Sequence, residues 1–266
     1  MVNIYISKTC NALNKMEVNT EHISDYVCLN PNYKHIKITN KNVKVLMDSG
    51  AFQDRNHNTR LSFDIALKRQ LNFEHKLCIT SEKIVAYDMI DDYKTTVKAN
   101  QFLASKRDKL KPRQLVLMIQ GKTFEECVEC VIDTLKIAQP GDCIGFGGVA
   151  SSGRSKIIRN KLYQTIQHTV PLIYEYGITD IHIFGIGMFQ IIEEIMEIIK
   201  QHDCDINVSC DASSFEIRSV LGFVLDVDSR KWVKTYSKEQ KYTEYHPCVL
   251  AQQNIVNGIK IMQEIV

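Results

Sequence analysis

Asp48, Asp88, Gln120, Gly147 with Gly148, Phe184 with Gly185, and Asp211 share one setting: each closes a short apolar run. The runs are VKVLMDSGAFQ, KIVAYDMIDD, QLVLMIQG, CIGFGGVASS, DIHIFGIG and DINVSCDASS. Asp48 and Asp211, set across a common pocket, would suit chemistry at a sugar C1′. One carboxylate attacks to form a covalent glycosyl-enzyme, and the other moves protons on the leaving group. Asp88 and Gln120 offer an acceptor carboxylate and a donor–acceptor amide, which together can read the edge of a purine-like ring. Gly147 and Gly148 carry no side chain, so their backbone N–H groups can approach a planar ligand closely. Phe52 and Phe184 supply aromatic faces for stacking on it.

These residues can act together only if the chain brings the ends of their runs to one place. Each run is four to six residues long and rich in Val and Ile, and most are followed by a helix-like stretch. Strand–loop–helix repeated in this way marks a parallel sheet. The expected fold is therefore α/β, a (β/α)₈ barrel, whose strands all hand their last residues to one mouth. Carboxylates gathered there are costly unless they are used.

NIYIS near residue 4 and YVCLN near residue 27 read as the first strands, separated by a polar loop. Residues 53–60, QDRNHNTR, read as irregular. Ser62 is placed to cap the helix FDIALKRQLNFEHK, with Asp64 suited to its dipole. YKTTVKANQFLASKRDKL reads as one long helix stopped by Pro112, and TFEECVECVIDTLKIA as a third closed by Pro140 and Gly141. Residues 155–176 and 188–202 give two more helices. FVLDVDSRKWVKTYS reads as a hairpin turning at Asp228 and Ser229, and a last helix runs from Pro247. There is no repeat, low-complexity tract or linker, so residues 1–266 are expected to form a single domain.

The gross numbers fit one enzyme domain, with 266 residues, 44% apolar and 24% charged. A net charge of +2 means that a polyanion would have to be held by a local patch. No apolar run approaches the roughly 20 residues of a membrane span. The opening MVNIYISKTCN lacks the basic and apolar regions of a secretory signal. Nine scattered cysteines suit a reducing compartment, so a cytoplasmic location is expected. Cys127 and Cys130 form a CxxC, but it lies within an amphipathic helix and has no second pair; buried packing explains it better than zinc.

The six motifs, taken in order, resemble those of the tRNA-guanine transglycosylases, which exchange a guanine for a 7-deazaguanine. DSGAFQ looks like that family's DSGGFQ, followed by AYD, IQG, GGVAS, FGIG and SCDAS, over roughly residues 43–215. The resemblance implies that Asp211 is the nucleophile on C1′ and Asp48 the general acid/base. It implies that Asp88 accepts the N1 and N2 protons of the guanine ring and that Gln120 and Gly148 hold its O6 side. Phe52 and Phe184 would stack on the ring, with Ser49, Gly147 and Gly185 lining the pocket. It implies no cofactor, a nucleic-acid partner (tRNA or DNA), and a homodimer or a partner subunit.

Several departures from the family pattern are visible. The bacterial and eukaryotic members bind zinc through CxCxxC and a later His, whereas this chain has only His246 and Cys248 after Asp211. No metal and no zinc subdomain are therefore expected. Ala212, Ser213 and Ser214 replace the basic Pro-Thr-Arg after the nucleophile, which leaves DNA as well as tRNA open as the polymer. Arg154, Lys156, Arg159 and Lys161 follow the glycine loop and are placed to meet phosphates. The basic stretch 105–113 reads as a solvated helix face. Two alternatives stay open. One is a non-catalytic partner subunit, which the retention of Asp48 and Asp211 argues against. The other is a phosphate-binding barrel lyase or isomerase using the loop GGVASSGRS; it would need a lysine at a strand end, and the runs show none.

Overall fold

The computed structural model describes residues 2–8, 24–147, 155–235 and 247–265. Eight strands are buried over nearly their whole length, as strands covered on both faces must be. They are β1 (Val2–Ser7), β2 (Tyr26–Leu29), β3 (Lys44–Met47), β4 (Lys83–Val85), β5 (Gln114–Ile119), β6 (Cys143–Phe146), β7 (Asp180–Ile183) and β8 (Asn207–Ala212). Every neighbouring pair is parallel, and β8 closes on β1 with Tyr5 opposite Asp211, so the sheet is a closed barrel in chain order. The fold is a (β/α)₈ barrel.

Helices alternate with the strands and turn apolar stripes inward. In α5 (Phe124–Leu135) the stripe is Cys127, Cys130, Val131, Thr134 and Leu135; in α7 (Phe189–Gln201) it is Ile191, Ile192, Ile195, Met196 and Ile199. These spacings of three and four put each set on one helix face. Both thiols of the CxxC are buried in this way. The remaining barrel helices are α1 (Ala51–Asn56), α2 (Phe63–Leu77), α3 (Tyr93–Ala104), α4 (Arg107–Leu110), α6 (Lys156–Glu175) and α8 (Ser214–Val220). Ser62 caps α2, accepting from the Ile65 amide at 3.4 Å.

Two expectations about helices are corrected. Of the segment 53–60 expected to be irregular, residues 53–56 belong to a helix that begins at Ala51, in which Asp54 turns inward to Arg69 and accepts from Tyr87 Oη at 3.0 Å; residues 57–60 are non-helical as expected. The long helix expected from Tyr93 is broken near Ser105 and Lys106, and two arginines of the basic stretch beyond it are not on a solvated face. Arg107 pairs with buried Asp142, and Arg113 with buried Glu74 at 2.6 Å.

After β8 come an antiparallel hairpin, β9 (Phe223–Leu225) with β10 (Trp232–Lys234), and the helix α9 (Pro247–Ile265). Asn254 ties them together: its Oδ1 accepts from Leu225 N at 2.7 Å, and its Nδ2 donates to Phe223 O at 2.9 Å. No described helix is long and apolar enough to cross a membrane.

Candidate active site

A cavity of about 320 Å³ opens at the carboxyl ends of the strands. Asp48, Ser49, Phe52, Asp88, Gln120, Gly147, Phe184, Gly185 and Asp211 all line it. Gly148 and Arg154 lie outside the described residues.

Asp48 directly follows β3. Its Oδ1 accepts from the Ser49 amide at 2.7 Å and its Oδ2 from Asn30 Nδ2 at 2.6 Å. The turn behind it needs Gly50, whose φ is +80° and whose added Cβ would lie 2.6 Å from the Arg69 guanidinium. Arg69 in turn donates to Ser49 O at 2.5 Å and to Asp54 Oδ2 at 2.9 Å, so a buried ion pair holds the DSG turn from beneath. The Ser49 hydroxyl accepts from the Ala51 amide at 3.3 Å, which stabilises the start of α1.

Asp211 sits across the mouth on β8. Its Oδ2 accepts from Ser7 Oγ and its Oδ1 from the Gly185 amide, each at 2.7 Å. Gly185 has φ +72°, which turns its N–H toward the carboxylate at little steric cost. Asp88 accepts from Gln120 Nε2 at 2.5 Å, so the two groups expected to read a ring edge are already paired. The Gln120 amide lies so close to Gly147 that a Cβ there would fall 2.2 Å from its nitrogen. Glycine at 147 leaves room for this amide, and its dihedral angles are ones that any residue can adopt.

The carboxylates perturb one another. Asp48 keeps part of its exposure through the cavity mouth, yet burial pushes its carboxyl up to about 7, helped by the charges of Asp211 and then Asp88. Burial likewise raises Asp88 to about 6, against the hydrogen bond from Gln120. Two aspartates poised near neutrality in one cleft make it a candidate functional site. A test on stability follows. An unfolded aspartate loses its proton near pH 4, whereas folded Asp48 keeps its proton to about 7, so over that window the folded state binds more protons and stability falls as pH rises. Asp48→Asn should shrink the fall in Tm between pH 5 and pH 8 by a few degrees. An unchanged fall in thermal melts would contradict the desolvated carboxylate.

Ile90 also lines the cavity, together with Ser7, Cys28, Asn30, Tyr33, Gln53, Met118, Ser213 and Ile217, which were not anticipated. Ser7 and Asn30 end or follow β1 and β2, so the strand-end signal that marked Asp48 applied to them too. The three described residues of the expected phosphate contacts, Lys156, Arg159 and Lys161, do not line the cavity. Lys161 Nζ donates to Gly121 O at 2.5 Å, while Lys156 and Arg159 border a separate groove with Met188 and Glu194. A larger groove of about 950 Å³ shares Ile90 with the cavity and carries Arg55, Arg60, Lys94 and Lys122. The expectation that no lysine ends a strand is corrected by Lys8, which follows β1 and is buried but does not line the cavity. Among the described residues no cluster of His, Cys, Asp or Glu could hold a metal ion; His246 and the side chain of Cys248 lie outside them.

The sequence matches no protein-family model and none of the curated proteins searched.

Proposed function

We propose that the chain is a base-exchange glycosyltransferase that replaces guanine in tRNA or DNA with a 7-deazaguanine. The observation that carries this reading is the convergence of two carboxylates, Asp48 and Asp211, with the Asp88–Gln120 pair and Phe184 around one cavity. Its resemblance to the tRNA-guanine transglycosylases, motif by motif, supports the same reading.

In this reading Asp211 attacks C1′ of a flipped-out nucleotide, since a stacked base cannot enter such a cavity. The C1′–N9 bond breaks, its electron pair leaves with guanine, and Asp48 delivers the proton that neutralises the departing base. The incoming 7-deazaguanine returns a proton to Asp48 and attacks C1′, which releases Asp211. Each cycle leaves both carboxyl groups as they began, so no cofactor or net proton is needed. A carboxyl near 7 suits a group that both gives and takes a proton at neutral pH.

Gln120 has two amide protons. One is engaged by Asp88, which leaves the other for the guanine O6. Gly147→Ala would push this amide aside and break its hydrogen bond to Asp88. Guanine binding by calorimetry should then weaken by about tenfold or more, the worth of a charge-assisted hydrogen bond, while the melting temperature moves little. Unaltered affinity would remove Gln120 from the binding site. The polymer itself is identified by mass spectrometry of nucleosides from tRNA and from DNA of cells with and without the gene. A deazaguanosine that disappears from one polymer names the substrate; no change in either counts against the reading.

A further inference from the structure

His182 is a buried titratable group beside Asp211 that the mechanism above leaves unused. It lies inside β7 with no exposed surface, its ring edge-on to Tyr5 at 5.5 Å and to Phe184 at 4.4 Å. Its Nδ1 is 2.9 Å from Ser209 Oγ. Among the described residues its Nε2 has no hydrogen-bond partner, yet it lies 3.5 Å from Asp211 Oδ1. A buried ring nitrogen beside a carboxylate and without a partner calls for an explanation.

The groups facing the ring are Tyr5 from β1, Lys83 from β4, Ser209 and Asp211 from β8, and Phe184 after β7. Burial holds the imidazole below its usual range, against the pull of Asp211, so at neutral pH the ring carries a single proton. A proton on Nδ1 would leave the Nε2 lone pair aimed at a carboxylate oxygen that can only accept. A proton on Nε2 removes that repulsion, and the Ser209 hydroxyl then donates to Nδ1. The Ser209 hydroxyl also lies within donating distance of the Ile181 carbonyl at 3.2 Å, the acceptor it uses when Nδ1 carries the proton, so its rotor follows the tautomer.

We infer that His182 is a positioning residue for the nucleophile, carrying its proton on Nε2 and directing it at Asp211 Oδ1, with the Ser209 hydroxyl turned to donate to Nδ1. The inference rests on the reading of Asp211 as nucleophile. Oδ1 then meets both the Gly185 and the His182 N–H groups, while the only donor to Oδ2 among the described residues is the rotatable Ser7 hydroxyl. Oδ2 is therefore the oxygen that bonds to C1′ as C1′–N9 breaks. Oδ1 becomes the ester carbonyl, and the same two donors stabilise the charge that returns when the ester opens.

The test has two arms. Nitrogen-15 NMR of the full chain at pH 7 should show a protonated Nε2 and a bare Nδ1 for His182, assigned by its loss in His182→Gln. A protonated Nδ1 would overturn the inference, and this arm needs no activity. In the second arm His182→Phe keeps a ring between Tyr5 and Phe184 but removes the donor. Formation of the covalent adduct should slow by roughly 10- to 100-fold with guanine affinity unchanged, and His182→Gln, which retains an N–H, should recover part of the rate. An unslowed Phe variant, or equal loss in both variants, would also overturn it. If the wild-type protein forms no adduct, the base-exchange reading fails, and the ring nitrogens still decide the tautomer.

Discussion

Asp211→Asn should reduce base exchange by about 10³-fold or more while leaving the base site intact. Asparagine keeps the shape of the side chain. Its carbonyl can accept from the Gly185 amide, and the Ser7 hydroxyl can rotate to accept from its new N–H. What disappears is the negative charge that, in the proposed mechanism, attacks C1′. Asp88 and Gln120 are untouched, so guanine should bind the variant within about twofold of wild type. Single-turnover assays and calorimetry separate the two effects. If the Asn variant keeps even a tenth of wild-type exchange, Asp211 is not the nucleophile.

Guanine should be preferred to adenine by ~10⁴ or more at pH 8, because the site is built to hydrogen-bond what adenine lacks. In the proposed reading the ionised Asp88 carboxylate accepts the N1 and N2 protons of guanine. Adenine presents a bare N1 lone pair to the same oxygens and leaves a buried charge unpaired, at a cost of several kcal/mol. The preference is tied to pH. Folded Asp88 gains a proton as pH falls through about 6, and a protonated carboxyl can donate to adenine N1. Guanine affinity should therefore decline below pH 6 and the discrimination narrow. Equal binding of the two bases at pH 8 by the purified protein would remove Asp88 from ring recognition.

The barrel was legible because its strands are buried on both faces and therefore read as short Val- and Ile-rich runs, each ending on a polar or glycine residue. The same rule put Asp48, Asp88, Gln120 and Asp211 at one mouth. What escaped it depended on partners distant in sequence. Helix α1 is short and polar, and its inward face exists only because Asp54 meets Arg69 and Tyr87. Ser7 and Asn30 were visible as strand ends, but their importance lies in which carboxylate oxygen each one holds. His182 reads as an ordinary inward residue of an apolar strand until Ser209 and Asp211 are placed beside it. Lys161 looked like a phosphate contact from its charge and its place after the glycine loop, whereas its ammonium donates to the carbonyl of Gly121.

The most direct measurement is incorporation of labelled guanine into polymer. Purified protein is incubated with labelled guanine and either total tRNA or genomic DNA, and the label retained by the precipitated polymer is counted. Label should accumulate in one of the two polymers, and Asp211→Asn should abolish it. No incorporation into either polymer by folded protein that binds guanine would contradict base exchange as the function of this cavity.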